Sequence, residues 1–115
     1  MATSRSPSEP RLARGLELIR DGEFFAAHEV LEDAWRAAED SERDFYQGLV
    51  HVAVAWYQAG RGNRVGCERQ LEKSARRLGP YAPAHRGLDV AALLASVEAA
   101  RDHFPELPPP VIQPS

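Results

Sequence analysis

Glu42-Arg43-Asp44-Phe45-Tyr46-Gln47-Gly48-Leu49-Val50-His51-Val52-Ala53-Val54-Ala55-Trp56-Tyr57-Gln58-Ala59 settles the architecture. Stepped at about 100° per residue, Phe45, Leu49, Val52 and Trp56 line one face of a helix, and Val50, Val54 and Tyr57 line another. A helix that is apolar on most sides is buried on most sides, so this third helix is expected at the centre of the molecule. Its remaining polar positions are Asp44, Gln47, His51 and Gln58. Ser41, with Asp44 three residues on, resembles a weak capping box at its start.

The flanking segments read as helices too. A first helix is expected over 9–20, with Ser8 as its cap, Pro10 in its first turn and Asp21-Gly22 as its stop. A second is expected over 23–39, with Phe24, Ala27, Leu31, Ala34, Trp35 and Ala38 facing inward, His28 on the same side and Glu32 at its edge. Glu29, Asp33 and Arg36 point away. After Gly60-Arg61-Gly62, Asn63 caps a fourth helix that runs to Leu78 with a narrow apolar stripe of Cys67, Leu71, Ala75 and Leu78. Residues 81–88 read as a loop, and Asp89 caps a fifth helix over 90–103. No alternating strand pattern of useful length occurs. The expected fold is all-α: a closed antiparallel bundle of about five helices with helix 3 central, because the connections are short. Residues 1–8 are expected to be a flexible N-terminus, 9–104 the bundle, and 105–115 a proline-rich extended tail, either free or laid over the domain.

The totals narrow the class. The 115 residues, 43% apolar and 27% charged, suit one globular domain. A single cysteine, Cys67, excludes an intrachain disulfide and fits a reducing compartment. No apolar run approaches a membrane span, and residues 1–10 lack the apolar centre of a signal peptide, so no membrane association is expected and the expected location is the cytoplasm. The net charge of −3 argues against a general nucleic-acid binder. Its distribution says more. Residues 21–44 carry nine acids against Arg36 and Arg43, whereas 61–86 carry seven bases against Glu68 and Glu72. The two halves can attract each other within a chain or between two chains, or stay as two solvated faces.

His28 and Glu32 share a face at i, i+4, as do Gln47 and His51 on the central helix. If helices 2 and 3 are antiparallel about residue 40, the two pairs meet near mid-height. Three readings stand side by side. His28, Glu32 and His51 could ligate a divalent metal. His28 and Glu32 could act as an oriented acid/base pair, the candidate catalytic residues. Or the groups hydrogen-bond one another and set how the helices pack. The metal pattern is not His-Glu-x-x-His, and Phe25 and Gly48 stand where a bundle di-iron site would need Glu. No cofactor is favoured. Trp35, Trp56 and Tyr57 read as core, Cys67 as a small buried side chain rather than a nucleophile, and His85 and His103 receive no role.

Gly22-Glu23-Phe24-Phe25-Ala26-Ala27-His28-Glu29-Val30-Leu31-Glu32-Asp33-Ala34-Trp35-Arg36, then Phe45 to Ala55, then Gly62-Asn63 through Leu78, resemble DUF309, small prokaryotic helical domains of unknown function. The resemblance covers about 12–80 and implies a closed helical bundle with no established activity. The family motif falls on His28, Glu29, Glu32, Trp35, Arg43, Gln47, Gly48, Gly62 and Asn63. Family members often have Gln where this chain has His51. That weakens the metal reading and favours a polar cluster of His28, Glu32, Arg43 and Gln47, with Trp35 beside it. Gly48 would let helix 2 approach closely. Helices 3 and 4 also resemble a single tetratricopeptide hairpin. The expected role is a small binding or assembly module with an unidentified ligand or protein partner, a homodimer being one form of it. The alternatives are an enzyme, such as a metal-dependent hydrolase using His28 and Glu32, and a peptide-binding helical hairpin.

Overall fold

The computed structural model describes residues 9–115. The Ser8 cap and the flexible segment expected over 1–8 lie outside the described residues. Five α-helices follow in order: α1 (Glu9–Arg20), α2 (Phe24–Ala37), α3 (Asp40–Gly60), α4 (Arg64–Leu78) and α5 (Val90–Ala100). Consecutive helices from α1 to α4 pack side by side, and α3 makes its most extensive contacts with α4 and then α2. Helix 3 is the central element, as its two apolar faces require. Phe45, Leu49, Val52 and Ala53 are fully buried, and the core continues through Ile19, Leu31, Leu78, Leu93 and Val97.

The termini show which capping expectations hold. Asn63 Oδ1 accepts from the Gly66 backbone N–H at 2.9 Å, and Asp89 Oδ1 from that of Ala92 at 2.9 Å. The Ser41–Asp44 capping box does not form. Helix α3 already begins at Asp40, so Ser41 sits inside its first turn, Glu39 precedes it without a side-chain cap, and Asp44 pairs with Arg77 instead. Asp40 and Glu42 in that turn complement the positive end of the helix dipole.

Two glycines set helix spacing. A Cβ on Gly15 would lie 2.5 Å from Leu31 Cδ2, so Gly15 is where α1 closes on α2. A Cβ on Gly48 would lie 2.6 Å from Leu78 Cγ. The element that Gly48 admits is therefore α4, not helix 2 as the sequence suggested. The glycine faces the other neighbour of the central helix.

Residues 81–88, read from sequence as a loop, contain a short antiparallel hairpin, β1 (Ala84–His85) and β2 (Leu88–Asp89). Arg86 and Gly87 between them have φ of 49° and 78°, the positive values that a two-residue type I′ connection needs. Helix α5 stops at Ala100 and tightens into a 3₁₀ turn over Arg101–His103. The tail is laid over the domain. Trp56 Nε1 donates to the Pro108 carbonyl at 3.0 Å, Ile112 is buried, and the Asp89 and Ser115 backbone N–H groups donate to the Gln113 and Gly87 carbonyls. Arg20 Nε donates to the Ile112 carbonyl.

Candidate functional site: an open face over the central helix

Helices α2 and α4 flank α3 on either side, α1 packs on α2, and α5 on α4. One stripe of α3 is left without a helix across it. Gln47, His51, Val54 and Gln58 recur at i, i+4, i+7 and i+11, and all four are half-buried, whereas every residue between them except Tyr57 is buried. They form the floor of a groove whose walls are α2 and α4. The stripe remains uncovered because its side chains are amides, an imidazole and one valine rather than a continuous apolar row.

On the α2 wall, His28 Nδ1 lies 3.0 Å from the Phe25 carbonyl. A carbonyl only accepts, so Nδ1 carries the hydrogen and donates. His28 Nε2 lies 3.2 Å from Glu32 Oε1, and Glu32 Oε2 lies 3.5 Å from Arg36, which also bonds Asp33 at 2.8 Å. The expected His28–Glu32 pair is thus formed, half-buried, with its imidazole orientation fixed by backbone. Phe25 is 52% exposed and packs its ring 5.2 Å from His28 and 5.5 Å from Tyr57. Between them a cavity of about 220 Å³ is lined by Phe25, His28, Val54, Tyr57 and Gln58.

The expected four-residue cluster is divided. Arg43 lies over the Trp35 ring, 5.1 Å from its centroid. Gln47 is half-buried, with no side-chain hydrogen bond to Glu32 or Arg43 among the described residues. His51 turns to α4, where Nδ1 lies 2.6 Å from Gln70 Oε1. Register explains the separation. The Phe24–Trp56 and Phe25–Tyr57 ring contacts set His28 level with Val54, and His51 is nearly a turn away and on the α4 side. The metal set of His28, Glu32 and His51 does not assemble. Among the described residues no three His, Cys, Asp or Glu side chains converge as ligands. His28 and Glu32 remain as two donors side by side.

The α4 wall is basic. Burial pushes the His51 imidazole pKa down, more than the Gln70 hydrogen bond raises it, and the charges of Arg77, Lys73 and Arg76 lower it further. These effects favour the neutral imidazole, whose Nδ1–H donates to Gln70 Oε1. Burial pushes the Cys67 thiol up, in keeping with an inert core cysteine.

A second polar cluster escaped the sequence reading. His85 Nε2 lies 2.7 Å from Glu42 Oε1, Arg86 Nε also bonds Glu42, and Arg86 reaches Glu9 at 2.9 Å. Burial raises the Glu42 pKa, but the hydrogen bonds from Arg86 and His85 outweigh it and hold the carboxyl below its ordinary value. This cluster clasps the hairpin onto α1 and α3. The Arg86-Gly87 pair was the available signal, as a two-residue hairpin turn.

The fold and the groove define a small helical bundle with one open, partly polar face over its central helix. Residues 12–70 match the domain of unknown function DUF309, and the chain belongs to this family. It is 24% identical over 95 residues to an uncharacterized protein of Aquifex aeolicus (strain VF5), covering 76% of this chain and 28% of that protein. It is 33% identical over 55 residues to the uncharacterized protein YpuF of Bacillus subtilis (strain 168), covering 47% of this chain and 32% of YpuF. The chain thus spans about a third or less of the length of these relatives. Among the described residues no helix is long and apolar enough to cross a membrane.

Proposed function

We propose that this protein is a binding or assembly module whose working surface is the groove over α3, and that the cavity beside Phe25 takes an apolar side chain of a partner protein. The observation that carries this reading is Phe25 itself. A large aromatic ring stands 52% exposed at the edge of a cavity floored by Val54 and walled by Tyr57. An exposed aromatic with an arginine at the rim, here Arg61 stacked on Tyr57, is the composition of an interface anchor. The cavity, at about 220 Å³, is smaller than the roughly 300–1,000 Å³ of small-molecule and cofactor sites, which favours one anchor side chain over a cofactor. The greater length of the relatives suits a module that also works within larger chains. The binding residues are Phe25, His28, Val54, Tyr57 and Gln58, with Glu32 at the edge.

The test is a titration of ¹⁵N-labelled protein with N-acetyl-tryptophanamide. Amide shifts should concentrate at Phe25, His28, Val54, Tyr57 and Gln58 and vanish in Val54→Trp, which fills the cavity. A folded wild-type protein with no shifts there at the solubility limit of the probe overturns the reading.

One observation favours a second reading. The Phe25 carbonyl accepts from His28 Nδ1–H, so the Nε2 lone pair of the neutral imidazole and the Glu32 carboxylate face each other at 3.2 Å as two acceptors, an arrangement completed by a proton or a cation between them. Such a pair serves an enzyme, alone or with a divalent cation. Calorimetric titration of chelator-treated protein with Zn²⁺ separates the two. Heat that is lost in His28→Ala supports the metal-dependent alternative, and its absence in wild type removes it.

A further inference from the structure

We infer that the partner seated on this groove is a second copy of the same chain, docked face to face about a two-fold axis parallel to α3. The inference rests on the binding reading above and names its occupant. It starts from what the fold leaves unpaired. Arg77 is held by Asp44, but among the described residues Arg69, Lys73 and Arg76 have no carboxylate within 4.0 Å. On the opposite wall Glu29 is exposed and has no cation, and Asp33 has only Arg36. One face therefore presents a wall that is acidic apart from Arg36 and a wall that is basic apart from Glu72, separated by α3.

The positions are ordered as well as charged. Along α2 the outer rim of the groove runs Phe25, Glu29, Asp33; along α4 it runs Val65, Arg69, Lys73. Both are i, i+4, i+8 stripes, and both read apolar, charged, charged. Phe25 and Val65 are two of the three large exposed apolar side chains of the described chain, at 52% and 59%. They also lie at the same height. Phe25 packs on Tyr57, and the His51–Gln70 and Asp44–Arg77 contacts set an α3/α4 register in which Val65 is level with Tyr57. Since α2 and α4 are each antiparallel to α3, they are parallel to each other, and the two stripes stay level along their length.

A two-fold axis parallel to α3 keeps height and exchanges the walls, so α2 of one copy lies on α4 of the other. Phe25 then meets the partner copy's Val65, Glu29 meets Arg69, and Asp33 meets Lys73, twice over by symmetry. The valine covers the cavity beside Phe25, which supplies the anchor side chain that the groove lacks. The acid and base pairs specify the register and reject the orientation in which like walls would face. The two-fold axis in that plane perpendicular to α3 would instead lay α2 on α2 and bring acid toward acid.

The experiment is a charge exchange read by sedimentation velocity. One variant carries Arg69→Glu with Lys73→Glu, and the other carries Glu29→Lys with Asp33→Lys; all four positions are on the surface, and circular dichroism checks that each variant stays helical. Wild type should sediment as a dimer at low salt and shift toward monomer as salt rises. Each variant alone should associate roughly tenfold more weakly or worse, since its two walls now carry the same sign. An equimolar mixture should recover the dimer, because acid again faces base at both seams. Wild type monomeric at low salt at the highest accessible concentration overturns the inference, as do variants that dimerise like wild type. A mixture that stays monomeric overturns the two-fold pairing. The N-acetyl-tryptophanamide titration keeps the two proposals apart. A monomeric wild type that still binds the probe leaves the binding reading standing without this one, and a monomer that binds nothing loses both.

Discussion

Placing an alanine at Gly48 sets two opposing effects against each other. In a helix interior Gly→Ala is worth about 1 kcal/mol in backbone entropy and propensity. At this position the new Cβ would stand 2.6 Å from Leu78 Cγ and 2.8 Å from its Cδ2, with Arg77 Cβ at 3.4 Å. Leu78 is fully buried, and its Cγ is near the backbone, so the side chain cannot swing clear. Overpacking of this kind costs about 1–3 kcal/mol. The net expectation is a loss of about 1 kcal/mol, or a melting temperature lower by roughly 4 °C for a domain of this size. Gly60→Ala is the matched control. It lies in the same helix with nothing within 4 Å of its would-be Cβ, so it should be neutral or stabilise by up to ~1 kcal/mol. Thermal unfolding by circular dichroism compares the two. A double-mutant cycle isolates the clash: in a Leu78→Ala background Gly48→Ala should stop being harmful, with a coupling of about 1 kcal/mol or more. If Gly48→Ala stabilises as Gly60→Ala does, the close packing of α3 on α4 described here is wrong.

Three further substitutions have defined outcomes. His51 has a lowered pKa in the folded state, so the unfolded chain takes up a proton as pH falls below about 6.5 while the folded chain resists it. The stability this provides is full above that pH and lost as pH falls toward the folded value. His51→Gln keeps an amide opposite Gln70 and should flatten the urea midpoint between about pH 7.5 and about pH 5.5; an unchanged slope contradicts the assignment. Glu42, 14% exposed and bonded to Arg86 and His85, also has a lowered pKa, so its contribution is present above about pH 4.3 and lost as pH falls through the folded value. Glu42→Gln should cost about 1–3 kcal/mol at neutral pH by urea unfolding, with the gap to wild type closing in acid. Trp56→Phe removes the donor to the Pro108 carbonyl and should cost about 0.5–1.5 kcal/mol. Hydrogen exchange of the Val111 amide, which donates to Ser96 Oγ, and of the Ser115 amide should quicken with it, and unchanged exchange would mean that the indole does not hold the tail.

What the sequence disclosed was mostly local. The i, i+4 spacing of His28 and Glu32 is a property of one helix, and the pair is formed at 3.2 Å. The Asn63 and Asp89 caps are equally local, and both are made. The apolar faces of α3 announced a central helix for the same reason. What failed needed register between helices. Mid-height matching brought His51 to His28, whereas the ring contacts at Phe24 and Phe25 shift the α2/α3 register, and His51 finds Gln70 on α4. Gly48 was read correctly as a close-approach site but given the wrong neighbour, since a glycine does not say which helix uses it. The hairpin was invisible to alternation because each strand has two residues. Its clasp joins Glu9, Glu42, His85 and Arg86 across most of the chain, a separation no spacing rule reaches.

The most direct test of the groove as the seam between two copies of this chain is a dilution series of ¹⁵N-labelled wild-type protein at low salt, mapping which amides move with concentration. Movement is expected along Phe25, Glu29 and Asp33 on α2, along Val65, Arg69 and Lys73 on α4, and at Val54 and Gln58 between them, with α1, α5 and the tail still. Movement confined to α1 or α5, or a spectrum that does not change with concentration at all, would contradict it.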